Sequence, residues 1–306
     1  MSATALLMIA ALLLDKLLGE PRRFHPLVGF GNLALWIEQK LNGGSHSALR
    51  MRIHGVLAWS LVIAPWVLLT WLAWQQTFLQ PFVGVLILYF ALGMHSLDEH
   101  ASRIQQALQA VDLPLARHYV GSIVSRDTFT MQAEDIARAG VESVLENGND
   151  AVFGALFWFA VAGAPGVLVY RLANTLDAMW GYRTPRFFYF GWAAARIDDI
   201  LNYIPARLTA LTYALLGHTR SALRCWRQQA AAWDSPNAGP VMASGAGSLN
   251  IKLGGAANYH GVLEVRPALG AGNAPQADDI ARAMALVKRG AWLWVVLLLL
   301  AEIFYA

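Results

Sequence analysis

Long apolar runs alternate with amphipathic stretches along this chain, and the spacing of the polar interruptions separates the two. Residues 4–18 (TALLMIAALLLDKLL), 53–74 (IHGVLAWSLVIAPWVLLTWLAW), 78–97 and 291–305 (AWLWVVLLLLAEIFY) are apolar on nearly every helical face. A helix hydrophobic all round belongs in lipid or deep in protein. The 22 residues of 53–74 suffice to cross a hydrocarbon core of roughly 30 Å, whereas 291–305 is of marginal length. The first run has no basic leader region and no small-residue cleavage site before GEPRR, so it reads as a retained helix. Asp15 and Lys16 at its end are either interfacial charges or part of a site.

From Leu97 to Asp150 the pattern becomes amphipathic, with Thr130 or the turn before it expected to cap a helix that carries Glu134 in its first turns. Glu134, Arg138, Glu142 and Glu146 recur every four residues and so share one face. That face is either a solvated salt-bridge stripe or, since Glu142 and Glu146 repel and Asn147 and Asp150 follow at once, a magnesium site. Ser125-Arg126-Asp127-Thr128 offers hydroxyls and a guanidinium to a phosphate, or is an ordinary capping turn.

Residues 151–173 (AVFGALFWFAVAGAPGVLVYRLA) are apolar, but GAPG at 163–166 breaks a helix midway. Two half-helices forming a hairpin are expected, a geometry allowed when the broken backbone is buried in protein. The alternative is a crossing here with a return at 204–217, which would place Arg183, Arg186 and Arg196 outside. The link 75–77 has no Lys or Arg, whereas 19–52 carries Arg22, Arg23, Lys40, Arg50 and Arg52. The excess of positive charge assigns 19–52, 98–150 and 218–290 to the cytosol and the N-terminus to the outside.

The most concentrated chemistry lies between Arg171 and Arg207. There Arg171, Asn174, Asp177, Arg183, Arg186, Arg196, Asp198, Asp199, Asn202 and Arg207 are interleaved with Trp180, Tyr182, Phe187, Phe188, Tyr189, Phe190 and Trp192. On a helix Asn174 and Asp177 share a face, as do Asp198 and Asn202. Residues 235–261 are rich in glycine, which permits either a close approach to phosphate or tight helix packing. No GxxxxGK[ST] motif occurs, so nucleotide binding, if present, is not of the P-loop kind.

Composition agrees with a membrane protein. Of 306 residues, 57% are hydrophobic and only 14% charged, against about 25% charged in soluble domains, and mean hydropathy is +0.42. The net charge of +3 comes from arginines scattered among carboxylates, without the like-charge blocks of a nucleic-acid tail. One cysteine, Cys225, excludes an internal disulfide, and no Cys/His cluster suggests structural zinc or iron–sulfur. The expected fold is all-α: a polytopic integral membrane protein with a broken, re-entrant helix hairpin and cytosolic amphipathic helices, forming one integrated domain over 1–306.

The runs YRLANTLDAMWGY at 170–182, FGWAAARIDDILNYIPARLT at 190–209 and SPNAG at 235–239 resemble the membrane-bound adenosylcobinamide-phosphate synthases of cobalamin biosynthesis. SRDT at 125–128, IARAGVESVLEN at 136–147, LGGAANYHG at 253–261 and DKLLGEPRRFHP at 15–26 extend the resemblance over nearly the whole chain, with Glu20 replacing the aspartate expected there. The resemblance implies ATP-dependent ligation: aminopropanol phosphate, the free amino alcohol or an ethanolamine analogue becomes amide-linked to a propionate of adenosylcobyric acid. It implies Mg2+ and ATP, a corrinoid substrate, a bacterial cytoplasmic membrane and a site facing the cytosol; a homo-oligomer or a complex with other late-pathway enzymes is left open. On that reading Glu142, Asp177 and Asp199 are catalytic; Glu146, Asp198 and Asn202 hold metal; and Arg126, Arg171, Asn174, Arg183, Arg196, Arg207 and Asn237 bind substrates. The residues alone also fit a transporter of an anionic ligand, with buried charge near a broken helix, or a membrane sensor or scaffold.

Overall fold

The structure, a computed structural model, describes residues 4–21, 25–43, 47–124, 126–259 and 261–305. Ser125, Arg22 and Arg23, named above, lie outside the described residues. By packing, the chain forms two compact units: residues 1–93, 154–202 and 298–306 make the first, and residues 94–153 and 203–297 the second.

The first unit holds α1 (Thr4–Leu18), α2 (Pro26–Leu41), α3 (Ala48–Trp74), α4 (Gln80–Ala91) and α8 (Gly154–Trp180), with parts of α9 (Trp192–Leu216) and α12 (Ala277–Phe304). Its core packs Phe30 and Ala34 of α2, Ala58 and Val62 of α3, and Leu172, Leu176 and Trp180 of α8 around Phe190. The free N–H groups opening α1 are met by a carboxylate: Thr4 N donates to Glu302 Oε1 at 3.1 Å. His25 begins α2 as its N-cap, its Nδ1 accepting from Leu27 N at 3.2 Å.

The break in α8 falls where GAPG places it. Gly163 adopts φ 62° and ψ −154°, a backbone region open essentially to glycine alone. The two arms then fold back on each other. A Cβ on Gly154 would lie 2.1 Å from the Tyr170 hydroxyl, although sixteen residues of straight helix span about 24 Å. The apolar run 151–173 is thus a helical hairpin.

The second unit holds α5 (Met94–Gln109), α6 (Leu113–Gly121), α7 (Ala133–Gly148), a π-helical turn (Asn149–Phe153), α10 (Thr219–Gln229), α11 (Ala238–Leu249), the strands β1 (Lys252–Tyr259) and β2 (Val262–Gly270), and the rest of α9 and α12. The π turn directs Phe153 edge-on against Tyr213, whose hydroxyl donates to Leu145 O at 3.1 Å. The strands pair antiparallel with a shift of register between Gly254 and Gly255. With the isolated bridge between Ile251 and Asn273, this hairpin makes up the β-structure among the described residues of an otherwise helical fold.

Several boundaries differ from expectation. The C-terminal helix begins at Ala277 and not near 291, because Asp279 accepts from Gln276 N at 2.8 Å and starts the helix within its polar half. The cap of α7 is Gln132 in place of Thr130; Gln132 N donates to Asp135 Oδ2 at 3.1 Å. The apolar segment 204–217 belongs to the longer helix α9. The helical stretches Ala48–Trp74, Gln80–Gln109, Ala133–Trp180 and Ala277–Phe304 are long and apolar enough to cross a membrane, the third of them divided by the break at Gly163.

Candidate functional site

In the first unit the second arm of α8 and the opening turns of α9 bring their polar faces together. Tyr170 Oη donates to Asn202 Oδ1 at 2.9 Å, and Asn202 Nδ2 donates to Asp198 Oδ2 at 3.1 Å. Asn174 Nδ2 reaches the other oxygen of Asp198 at 3.3 Å. One carboxylate is thereby held by two amides, one from each helix, and oriented through a third polar group. The predicted faces, Asn174 with Asp177 and Asp198 with Asn202, are the faces that meet. Asp177 lies within electrostatic reach of both Asp198 and Asp199. Asp199 is paired with Arg196 at 3.3 Å, and Arg183 is close enough for its charge to act on the same carboxylate.

Burial raises Asp198 to about 6, while its hydrogen bonds from Asn174 and Asn202 pull the other way and the Asp199 charge raises it further. Burial also raises Asp199, against the opposing pull of Arg196. These carboxylates are hard oxygen donors that repel one another, which is the donor chemistry of magnesium. No group of three His, Cys, Asp or Glu side chains converges on one metal-sized point among the described residues.

The aromatic stretch does two different things. Phe190 is buried in the core of the first unit, and Phe187 packs against that core. Tyr182, Phe188, Tyr189 and Trp192 are exposed, and the Arg52 guanidinium sits 5.4 Å from the Trp192 ring. The loop carrying them is fastened by Arg186, whose Nε and Nη2 donate to the buried Glu38 at 3.1 and 2.6 Å. Neither this pair nor Tyr170 stood out in the sequence, since each depends on contacts across more than thirty positions.

The remaining predicted residues lie in the second unit. Glu142 is enclosed: Arg126 donates to Oε2, Arg266 donates to both oxygens at 3.0 and 3.2 Å, and Gly254 N donates to Oε1 at 2.8 Å. The bulge at Gly254, whose φ is +74°, turns that N–H out of the strand ladder. The stripe on α7 therefore divides, with Arg138 pairing with Glu134 and Asp135 in a solvated cluster while Glu142 meets two arginines. Glu142 and Glu146 line a cavity of about 410 Å³ together with Arg126, Trp233, Glu264 and Arg266. Arg207 braces the turn before α11, donating to Asn237 Oδ1 at 2.8 Å and to Pro236 O at 3.0 Å.

The predicted set is thus distributed. Asn174, Asp177, Arg183, Arg196, Asp198, Asp199 and Asn202 form one cluster; Arg126, Glu142 and Glu146 line one cavity; Arg207 and Asn237 form a brace; and Arg171 is among the residues lining an apolar cavity of the first unit. Arg266 was missed as a site residue because nothing local to the β-hairpin announces a partner on α7.

The chain is 60% identical over 298 residues to the cobalamin biosynthesis protein CobD of Stutzerimonas stutzeri, covering 97% of this chain and 98% of that one. It is 56% identical over 303 residues to the protein of that name from Chromobacterium violaceum (98% and 97% covered), and 39% identical over 300 residues to the one from Mycobacterium tuberculosis (94% and 93% covered). No solved structure matches it. The description CobD/Cbib protein matches residues 8–287, and the chain belongs to the CobD/Cbib family.

Proposed function

We propose that this chain acts in cobalamin biosynthesis as a ligase, using ATP to join an amino alcohol, or its phosphate, to a propionate carboxyl of adenosylcobyric acid. The names of its curated relatives support the pathway. The observation that carries the chemistry is the Asp198 carboxylate, oriented by Asn174 and Asn202 beside Asp177 and Asp199.

A carboxylate and an amine do not condense in water, so the acid must first be activated. In the proposed sequence an oxygen of the corrin carboxylate attacks the γ-phosphorus of ATP, giving an acyl phosphate and ADP. The amine then attacks the acyl carbon and loses a proton, and inorganic phosphate leaves. When bound, magnesium supplies charge neutralisation to the phosphates. Asp198 and Asp199 are its proposed holders, with Asn174 and Asn202 fixing Asp198. Arg183 and Arg196 meet phosphate oxygens, since both are exposed and beside the carboxylates.

Asp177 takes the proton of the attacking amine. Glu142 is unsuited to that role, because each of its oxygens already accepts two hydrogen bonds.

Detergent-purified protein given adenosylcobyric acid, aminopropanol phosphate and Mg–ATP should form amide and ADP together, and neither when any component is omitted. ADP release that ignores the corrinoid, with no amide formed, would overturn the reading.

A further inference from the structure

The first unit contains a second cavity, of about 490 Å³, lined by Phe30 of α2, Trp66 and Thr70 of α3, Leu86 of α4, and Leu168 and Arg171 of α8. Its size is that of pockets which hold organic ligands, roughly 300–1,000 Å³. Trp66 and Leu86 are also exposed on the outer surface, at 45% and 52%. The cavity therefore communicates with the apolar flank of α3 and α4, both in stretches long and apolar enough to cross a membrane.

Among the described residues of this lining Arg171 is the only charged one, and its Nε is buried with no hydrogen-bond partner among them. A guanidinium has donors and no acceptor, so only an acceptor, best an anion, completes it. A nucleotide would bring several charges into a hydrocarbon wall, where desolvation is not repaid. One charge joined to an apolar body satisfies both features.

We propose that this cavity is a binding site for an anionic phospholipid, with an acyl chain among Phe30, Trp66, Leu86 and Leu168 and the phosphate on Arg171. Basic pockets between membrane helices hold lipid head groups in this way. The assignment removes Arg171 from the substrate-binding set and does not depend on the reaction proposed above.

The test is lipid binding to delipidated, detergent-purified protein, followed by native mass spectrometry with phosphatidylglycerol and phosphatidylcholine of equal chain length. Wild type should bind one phosphatidylglycerol about ten-fold more tightly than phosphatidylcholine, and Arg171→Met should reduce that preference to about two-fold or less. Gly29 also lines the cavity, and a Cβ there would meet no atom within 4 Å. Gly29→Leu should therefore fill the space without strain and weaken both lipids about ten-fold. If Arg171→Met does not fold, Gly29→Leu decides alone, and undiminished phosphatidylglycerol binding in it overturns the proposal. Equal affinity of wild type for the two lipids also overturns it. So does displacement of phosphatidylglycerol by inorganic phosphate with no effect of Gly29→Leu, which would assign the site to a soluble anion.

Discussion

Glu142 and Arg266, 124 positions apart, meet as a bidentate pair, with Nη1 donating to Oε2 at 3.0 Å and Nη2 to Oε1 at 3.2 Å. Arg126 and the Gly254 amide complete the enclosure, so this carboxylate ties α7 to the β-hairpin. Glu142→Ala leaves two largely buried cations facing each other. Loss of one partner from a buried ion pair costs about 3–5 kcal/mol, and thermal unfolding in detergent should show a correspondingly lower midpoint. A midpoint equal to wild type would mean that the arginines find other partners and that the tie carries no stability.

Asp198→Asn keeps the shape of the side chain and removes its charge. Amide formation should fall by at least about 100-fold, roughly 3 kcal/mol of transition-state stabilisation, with thermal stability preserved. Normal turnover in this variant would remove Asp198 from the chemistry.

The same residue gives the reaction a pH dependence. Its carboxyl titrates near 6 in the folded chain, raised from 3.8 by burial. If the ionised form holds the metal, turnover rises as pH increases through about 6. The stability effect has the opposite sign. Between 3.8 and about 6 the folded state holds a proton that the unfolded state has released, so this group's contribution to stability falls as pH rises across that window. Between pH 5 and about 6 turnover should rise while the unfolding midpoint falls, the contribution of this group levelling off above that range, and Asp198→Asn should lose its share of both trends.

Gly163→Ala tests the hairpin. The substitution forces a side chain into a backbone conformation with φ 62°, and its Cβ would lie 2.6 Å from the Trp74 ring. Backbone strain alone costs about 1–3 kcal/mol, so the variant should unfold well below wild type. A fully stable Gly163→Ala protein would show that α8 can straighten.

Much of this was legible in the sequence. The long apolar runs became helices because no polar face interrupts them, and GAPG broke α8 because glycine alone tolerates the conformation at Gly163. The acid–amide faces of α8 and α9 followed from helical spacing. What local pattern did not reveal depends on distant partners. The strands at 252–270 lay in a glycine-rich stretch that reads equally as helix packing or phosphate contact, and their register is set by pairing across the turn. The polar half of α12 did not read as part of the last apolar helix because DDIARAMALVKRG is amphipathic, not uniformly apolar. Arg266 and Tyr170 acquire meaning only through Glu142 and Asn202, each on another element.

In the proposed reaction ATP activates the corrin carboxyl as an acyl phosphate. Adenosylcobyric acid labelled with oxygen-18 at its free carboxyl tests this directly in the purified protein with Mg–ATP and aminopropanol phosphate. Activation through an acyl phosphate should give ADP and amide in equal amounts, with one labelled oxygen carried into inorganic phosphate for each amide formed. Unlabelled phosphate, or label carried into AMP, would contradict it.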